Sequence, residues 1–110
     1  MALPHAQARD VINLQPLGAA VAQTPSTSLI KTARLQLMRV VLRAGQSLPE
    51  HQVPGEITIQ GLEGEAVVTT AEGERVLKAQ QLVLLPSGEP HAVHARTDCS
   101  LLVTVRLGGP

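Results

Sequence analysis

The sequence predicts a single all-β domain. Its 110 residues are the usual length for one hydrophobic core, and 44% of them are hydrophobic, which is enough to fill that core. Short runs rich in Val, Leu, Ile and Thr alternate with turn residues such as Gly and Pro, a pattern typical of a β-sandwich or β-barrel. No stretch of ten or more residues repeats its apolar side chains with the period of a helix.

Composition and charge narrow the range of partners. Nine basic residues balance nine acidic ones, and no run of like charge occurs, which argues against binding to nucleic acid or to an anionic membrane surface. The chain has no Phe, Tyr or Trp on which a base or a sugar ring could stack. No apolar segment is long enough to cross a membrane, and the N-terminus lacks the apolar region of a secretory signal. With a lone Cys99, which cannot form an internal disulfide, these features predict a cytoplasmic protein.

The first 28 residues carry the weakest pattern. We expect residues 1–28 to form a partly ordered N-terminal segment, a candidate for exchange between subunits, ahead of a barrel domain over residues 29–110. Within this segment, Val11–Leu14 fits a short strand, and a loop of small residues follows it.

Seven strands are expected after the segment, each bounded by turn residues. Gly73 lies in a turn between two of them and tolerates a positive φ, which predicts a hairpin. In the last strand the odd-numbered positions are all apolar while Ser100, Thr104 and Arg106 are polar, so this strand should have an inner and an outer face. The expected strands are Ala33–Arg43, Ile57–Leu62, Glu65–Thr70, Arg75–Lys78, Leu82–Leu85, His91–Ala95 and Cys99–Leu107.

Two of these runs, Met38–Leu42 and Leu82–Leu85, are apolar on both faces of the strand. A strand buried on both sides needs a cover on its outer face, which favours an assembly of two copies. Arg34, Arg39 and Arg43 are spread along one strand and are expected on solvated or interface faces.

Two segments resemble the paired motifs of the cupin family, small β-barrels that often hold a metal between three histidines and a glutamate. The first segment contains Gly45-x5-His51 and ends in Leu62-Glu63-Gly64-Glu65, and the second contains Pro86-x-Gly88-x-x-His91. The resemblance covers roughly residues 30 to 107. It implies a cupin-type jelly-roll β-barrel in one domain. It also implies a homodimer, since small cupins pair through edge strands and exchange N-terminal segments.

The resemblance places two of the four metal ligands of the family in this chain. His51 takes the position of the first histidine and His91 that of the histidine in the second motif, whereas Val53 replaces the second histidine and Ile57 replaces the glutamate. His94 lies three residues beyond His91 and should point to the opposite face of a regular strand.

Glu56 is a less favoured candidate for the missing carboxylate ligand. Strand alternation groups Ile57 with Ile59 on the inner face, which places Glu56 on the outer face. If Glu56 did join the two histidines, the resulting set of two His and one carboxylate would suit Fe(II) oxygen chemistry.

Two functional interpretations remain open. In the first, the barrel binds a small molecule, with a divalent metal such as Zn, Ni, Cu or Fe or without one, and an imidazole ligates the metal or serves as a general base. In the second, the protein is a non-catalytic sensor or a structural homodimer whose metal site has been replaced. A serine triad is not favoured, because no serine has a histidine and an acid at a suggestive spacing. The pocket is expected to be lined by His51, Val53, Ile57, Ile59 and His91.

Overall fold

The computed structural model describes residues 5–108 and confirms the all-β prediction. Within that range the chain forms nine strands and one short 3-10 helix, and all strand pairs are antiparallel. The elements are η1 (Gly18–Gln23), β1 (Thr27–Lys31), β2 (Leu35–Leu42), β3 (Ser47–His51), β4 (Ile57–Glu63), β5 (Glu65–Thr70), β6 (Gly73–Lys78), β7 (Leu82–Leu85), β8 (His91–Ala95) and β9 (Cys99–Arg106).

The strands form two sheets that pack face to face as a jelly roll. One sheet has five strands in the order β1-β2-β9-β4-β7, and the other has four in the order β3-β8-β5-β6. The core lies between them and consists of aliphatic side chains contributed by both inner faces. Alternation along β9 buries Cys99, Leu101, Val103 and Val105, which confirms the inner and outer faces expected for this strand.

The predicted hairpin is also confirmed. Thr70 at the end of β5 pairs with Gly73 at the start of β6, and Gly73 has a φ of +116°, a conformation that favours glycine. The expected strand at Val11–Leu14 is wrong, because those residues belong to no strand. The backbone just after them is instead bound by a side chain of the five-stranded sheet, as described below. The structure also has two strands that the sequence did not predict, Thr27–Lys31 and Ser47–His51. The proposed division of the chain at residue 28 stays a prediction.

The N-terminal segment covers part of the outer face of the five-stranded sheet. The carbonyl oxygen of Gln15 accepts a hydrogen bond of 2.6 Å from the guanidinium of Arg39. Our expectation for Arg39 is therefore wrong: it lies neither in solvent nor at a free interface, since this segment buries it to 8% exposure. Arg34 and Arg43 are exposed.

The β7 end of that outer face is not covered by residues 5–108. The exposed fractions of Leu82 and Leu84 in β7 are 62% and 59%. In the same described part of the chain, no helix has both the length and the apolar character needed to cross a membrane.

Candidate functional site

The two motif histidines lie together on the inner side of the four-stranded sheet. His51 ends β3 and His91 begins β8, and the two residues are directly paired across these antiparallel strands. Their ring centroids are 4.3 Å apart, with the ring planes tilted by 56°. The fold therefore brings together imidazoles that are separated by forty positions in the sequence.

Each imidazole is held in the same orientation by its own backbone. Nδ1 of His91 lies 3.0 Å from the carbonyl oxygen of Glu89, and Nδ1 of His51 lies 3.2 Å from that of Pro49. A carbonyl oxygen can only accept, so Nδ1 carries the proton in both rings and Nε2 of the neutral ring has a free lone pair. Among residues 5–108, neither Nε2 atom has a hydrogen-bond partner. This arrangement orients two lone pairs, much as backbone carbonyls orient metal-bound histidines.

The imidazoles face a small apolar cavity between the two sheets. Its volume is about 80 Å³, enough for a few water molecules or a small organic group. His91 is only 1% exposed whereas His51 is exposed, so the deep end of the cavity lies at His91 and its mouth near His51. The cavity is lined by Met38, Val40, Leu48, His51, Val53, Ile57, Ile59, His91, Val93, Leu101, Val103 and Val105.

A second, outer cavity adjoins the first. It has a volume of about 210 Å³ and shares Met38, Val53 and Val105 with the inner cavity. Its lining is mainly apolar and includes the polar residues Gln36 and Arg106. The shared residues form the boundary between the two cavities, and a molecule moving from the outer to the inner one must pass them.

The donor set offers two nitrogen ligands. Val53 and Ile57 line the inner cavity at the two remaining family positions, and neither side chain has an atom that can coordinate a metal. Glu56 is exposed and is not part of the lining, so it does not join the imidazoles. Across residues 5–108, no three His, Cys, Asp or Glu residues are grouped so that they could hold a metal ion.

Two histidines lie outside the site, and one of them, His5, has its Nε2 2.8 Å from the hydroxyl of Ser28. His94 is on the outer face of β8, as the strand period predicts, and its Nδ1 is 2.6 Å from the hydroxyl of Ser47. Sequence spacing gave no indication of this contact, because it depends on the pairing of β3 with β8. Neither residue lines the inner cavity.

A polar cluster on the outer face of the five-stranded sheet was also missed by sequence reasoning. We call Arg39, Glu63 and Ser100 the polar clasp. The Glu63 carboxylate accepts hydrogen bonds from the backbone N–H groups of Leu17 (2.7 Å) and Gly18 (2.9 Å) and from the Ser100 hydroxyl (2.6 Å), and it lies 3.5 Å from the Arg39 guanidinium. The motif Leu62-Glu63-Gly64-Glu65 marks the position of Glu63, but only the packed N-terminal segment shows that it is buried.

The clasp lowers the pKa of Glu63. Burial alone would raise this pKa, but the hydrogen bonds from Leu17, Ser100 and Gly18 and the charge of Arg39 outweigh it, and the net shift is below the ordinary value of 4.5. Cys99 behaves in the opposite way. Burial, together with the negative charges of Asp98 and Glu63, raises the pKa of its thiol to about 11, so the reactive thiolate is scarce at neutral pH.

Comparison with known proteins agrees with the architecture. A family model described as "Cupin domain" matches residues 38–105, which is more than half of the chain. Among curated proteins, none matches the chain in sequence.

Many solved structures share the fold. A conserved protein of unknown function from Streptococcus pyogenes is 21% identical, with a TM-score of 0.77, covering 100% of this chain and 97% of that one. A cupin superfamily protein from Desulfitobacterium hafniense is 20% identical, with a TM-score of 0.77 and coverage of 98% and 99%. The DMSP lyase DddQ from Ruegeria pomeroyi is 28% identical, with a TM-score of 0.67, and the match covers 76% of this chain and 46% of that protein.

Proposed function

The chain belongs to the cupin family, and we propose that its barrel binds a small molecule in the inner cavity, anchored by His51 and His91. The observation that carries this proposal is the pair of Nδ1–H groups donated to backbone carbonyls, which leaves two Nε2 lone pairs at an apolar cavity. Ligand sites are typically apolar pockets with a few oriented polar groups. That one similar structure is a lyase makes a reaction on the bound molecule compatible with the fold, although fold alone does not specify chemistry.

The ligand must complement two imidazoles and an aliphatic wall. Neutral Nε2 atoms accept hydrogen bonds, so a hydroxyl or enol group would be held at the deep end while an apolar part fills the rest. An acid or a diketone-like molecule of few atoms fits the volume of about 80 Å³. If the molecule reacts, an imidazole with a free Nε2 is placed to take a proton from it.

A divalent metal fits this donor set only in part. His51 and His91 would hold a Zn, Ni, Cu or Fe ion through Nε2, and the remaining coordination positions would have to come from the ligand or from water, because Val53 and Ile57 supply none. Such a metal would polarise the bound molecule as a Lewis acid. We therefore propose a metal site that is assisted by the ligand, and not a closed structural site.

A second candidate is a non-catalytic sensor or structural protein that acts as a homodimer. It is favoured by the two ligand positions that are aliphatic and by the uncovered leucines of the five-stranded sheet, Leu82 and Leu84. An exposed apolar patch of this kind commonly marks an interface. The homodimer is part of both candidates. The outer face of the sheet and the inner cavity lie on opposite sides of β4 and β9, so pairing of two copies through the outer face would leave the cavity free to bind a ligand.

We also propose that the protein resides in the cytoplasm. Cys99 is fully buried and free, and a single free thiol suits a reducing compartment.

Binding can be tested with defined probes and matched variants. Protein purified without a metal-affinity step is analysed for metal, and its histidine ring NMR signals are followed on addition of Zn²⁺ alone, acetylacetone alone, and both together. We expect the signals of His51 and His91 to shift with acetylacetone, more so with Zn²⁺ present. His51→Ala and His91→Ala should abolish the response, whereas His94→Ala on the outer face should not. Unchanged signals with every probe would contradict the proposed anchor.

A further inference from the structure

We propose that β7 is a docking edge at which two copies of this chain join their five-stranded sheets into one continuous sheet. The inference rests on the homodimer proposed above and assigns its strand and its register. It starts from the four strands that end the two sheets: β1 and β7 in one sheet, and β3 and β6 in the other. An edge strand exposes unpaired backbone groups that can pair with another strand, and proteins protect such edges with charges, prolines, bulges or a covering segment.

Three of the four edges carry such protection. In β1 the register shifts between Ser28 and Ile30, and the N-terminal segment covers the strand by donating a backbone hydrogen bond from Ala6 to Leu29. In β3 the strand contains Pro49, a bulge and a glutamate. In β6 three of the six residues are charged. These features discourage pairing at each of these edges.

In the part of the chain that the structure describes, β7 has no charge, proline, bulge or covering segment, and only its short length of four residues limits pairing. Its sequence is Leu-Val-Leu-Leu, without charge or proline, and its pairing with β4 is regular, without a bulge. Within residues 5–108, β4 is the only strand hydrogen-bonded to it. Its outward side chains, Leu82 and Leu84, are the most exposed large hydrophobic residues of any strand, at 62% and 59%. An apolar edge of this kind can pair with a strand of another molecule.

The surroundings leave room for that strand. β6 and β7 are joined by the short turn Ala79–Gln81 but belong to different sheets, and they diverge from the turn. The open groove between them has a volume of about 470 Å³ and is lined partly by Val76, Leu82 and Val83. A strand approaching β7 would meet this groove and not another part of the same chain.

A second copy of β7 is the partner that fits best. Because the strand is uncharged, two antiparallel copies meet without repulsion between like charges, and a two-fold axis makes each contribute the same surface. The pairing would also bury the leucines of both copies, whereas pairing through β6 would remove its charged side chains from water for a single exposed valine, Val76.

The register follows from strand geometry and from Pro86. In an antiparallel pair, two residues directly opposite each other point to the same face of the sheet. The two-fold axis between two β7 strands must therefore lie at one residue position, where that residue faces its own copy. The two central positions of β7 are Val83 and Leu84. An axis at Leu84 would set Leu82 opposite Pro86, which has no N–H to donate. The axis therefore passes through Val83, and Leu82 of each copy lies opposite Leu84 of the other, so that four leucines form one cluster on the outer face.

The interface is small, since the paired edge is four residues long. Stable interfaces bury about 1,200–2,000 Å² in total, so we expect a dimer that dissociates on dilution. Sedimentation velocity of the full chain over a concentration series should show monomer and dimer in exchange. Leu84→Lys, which places a charge at the pairing edge, should weaken dimerisation at least tenfold. Leu35→Lys, at an exposed leucine of β2 in the same sheet, serves as the matched control and should leave dimerisation unchanged, because β2 lies far from β7 in the strand order. Circular dichroism checks that both variants are folded.

Crosslinking tests the register separately. Opposite residues have Cβ atoms about 4.5–5.5 Å apart, close to the span of a disulfide. Under oxidised glutathione, a mixture of Leu82→Cys and Leu84→Cys proteins should form a disulfide-linked dimer, and either protein alone should not.

The outcomes separate the two proposals. A wild-type protein that stays monomeric at every concentration overturns both the homodimer and the β7 edge. A wild-type dimer that persists in Leu84→Lys, or that is lost in Leu35→Lys, overturns the edge assignment and leaves the homodimer standing. Crosslinking of either cysteine variant by itself, or no crosslinking in a mixture that still dimerises, overturns the register.

Discussion

Removing the Glu63 carboxylate should be among the most destabilising single changes outside the aliphatic core. The side chain joins three parts of the protein: the N-terminal segment through Leu17 and Gly18, β9 through Ser100, and β2 through Arg39. In Glu63→Ala all of these contacts are lost together. In Glu63→Gln one oxygen remains to accept a hydrogen bond, but the charge is gone.

The magnitude follows from the burial of the ion pair. The side chains of Arg39 and Glu63 are only 10% and 14% exposed, and Arg39 Nε is already a buried donor without a hydrogen-bond partner among the described residues. Removing one member of a buried pair leaves the other charge uncompensated, at a cost of about 3–5 kcal/mol. We expect about 3 kcal/mol for Glu63→Ala, since the freed backbone groups regain water, and about 1–2 kcal/mol for Glu63→Gln.

The effect should depend on pH with a defined sign. The folded state lowers the pKa of Glu63 below 4.5, so the carboxylate contributes its full stability above about pH 4.5, and this contribution is lost as the pH falls through the folded-state pKa. The difference in unfolding free energy between the wild type and Glu63→Gln should therefore narrow below pH 4.5.

Urea denaturation at pH 7 and at pH 3.5 measures both effects. Glu65→Gln is the matched control, because Glu65 pairs with Arg96 at 3.2 Å on the surface, with side chains 29% and 52% exposed, and such pairs are worth about 0–1 kcal/mol. Hydrogen exchange at the Leu17 and Gly18 amides should accelerate in Glu63→Ala only. A loss below about 1 kcal/mol in Glu63→Ala, equal to that of the control, would refute the role of the clasp.

Three further predictions concern single positions. Val53→His adds a third imidazole at the inner cavity, so titration calorimetry should show tighter Zn²⁺ binding than in the wild type; equal affinity would mean that residue 53 does not face the imidazoles. Gly64→Ala should lower the melting temperature more than Gly88→Ala. Both glycines have a φ of +75°, but an added Cβ at Gly64 would overlap the carbonyl oxygen of Asp98, while at Gly88 it meets open space. Equal decreases in melting temperature would show that backbone strain alone determines the loss of stability. Cys99, buried and with a thiol pKa of about 11, should react with Ellman's reagent at pH 8 only after unfolding, and rapid reaction of the folded protein would argue against its burial.

Much of the fold could be predicted from local pattern. The bounds of β5, β7 and β8 coincide with the predicted runs, because each run has a glycine or a proline directly at one boundary: Gly64 before β5, Pro86 after β7 and Pro90 before β8. The alternation in Cys99–Leu107 likewise identified the inner face of β9, since a strand has only two sides. The conformation of the N-terminal segment could not be predicted in this way. Neither Val11–Leu14 nor the residues beside it carry a repeating pattern, and the path of the segment depends on its contacts with Glu63 and Arg39.

Part of the candidate site could likewise be predicted from the sequence, and part could not. Motif spacing identified His51, Val53 and His91, and the period of a strand placed Ile57 and Ile59 on an inner face, which the structure shows opposite the histidines across the cavity. Spacing could not show that both Nδ1 atoms bond to backbone carbonyls, nor that an outer cavity adjoins the inner one, because both depend on how distant strands pack. For the same reason the burial of Arg39 could not be foreseen.

The amino-acid sequence by itself determined the inward side chains of β4 and β9 and the bounds of β5, β7 and β8, because backbone sterics and the alternation of a strand act over a few neighbouring residues. Only the tertiary structure decided which groups meet: two imidazoles across a cavity, a carboxylate beneath the N-terminal segment, and an edge strand left without a neighbour. Those contacts join residues far apart in the chain, and their energies depend on burial, which no local stretch of sequence contains.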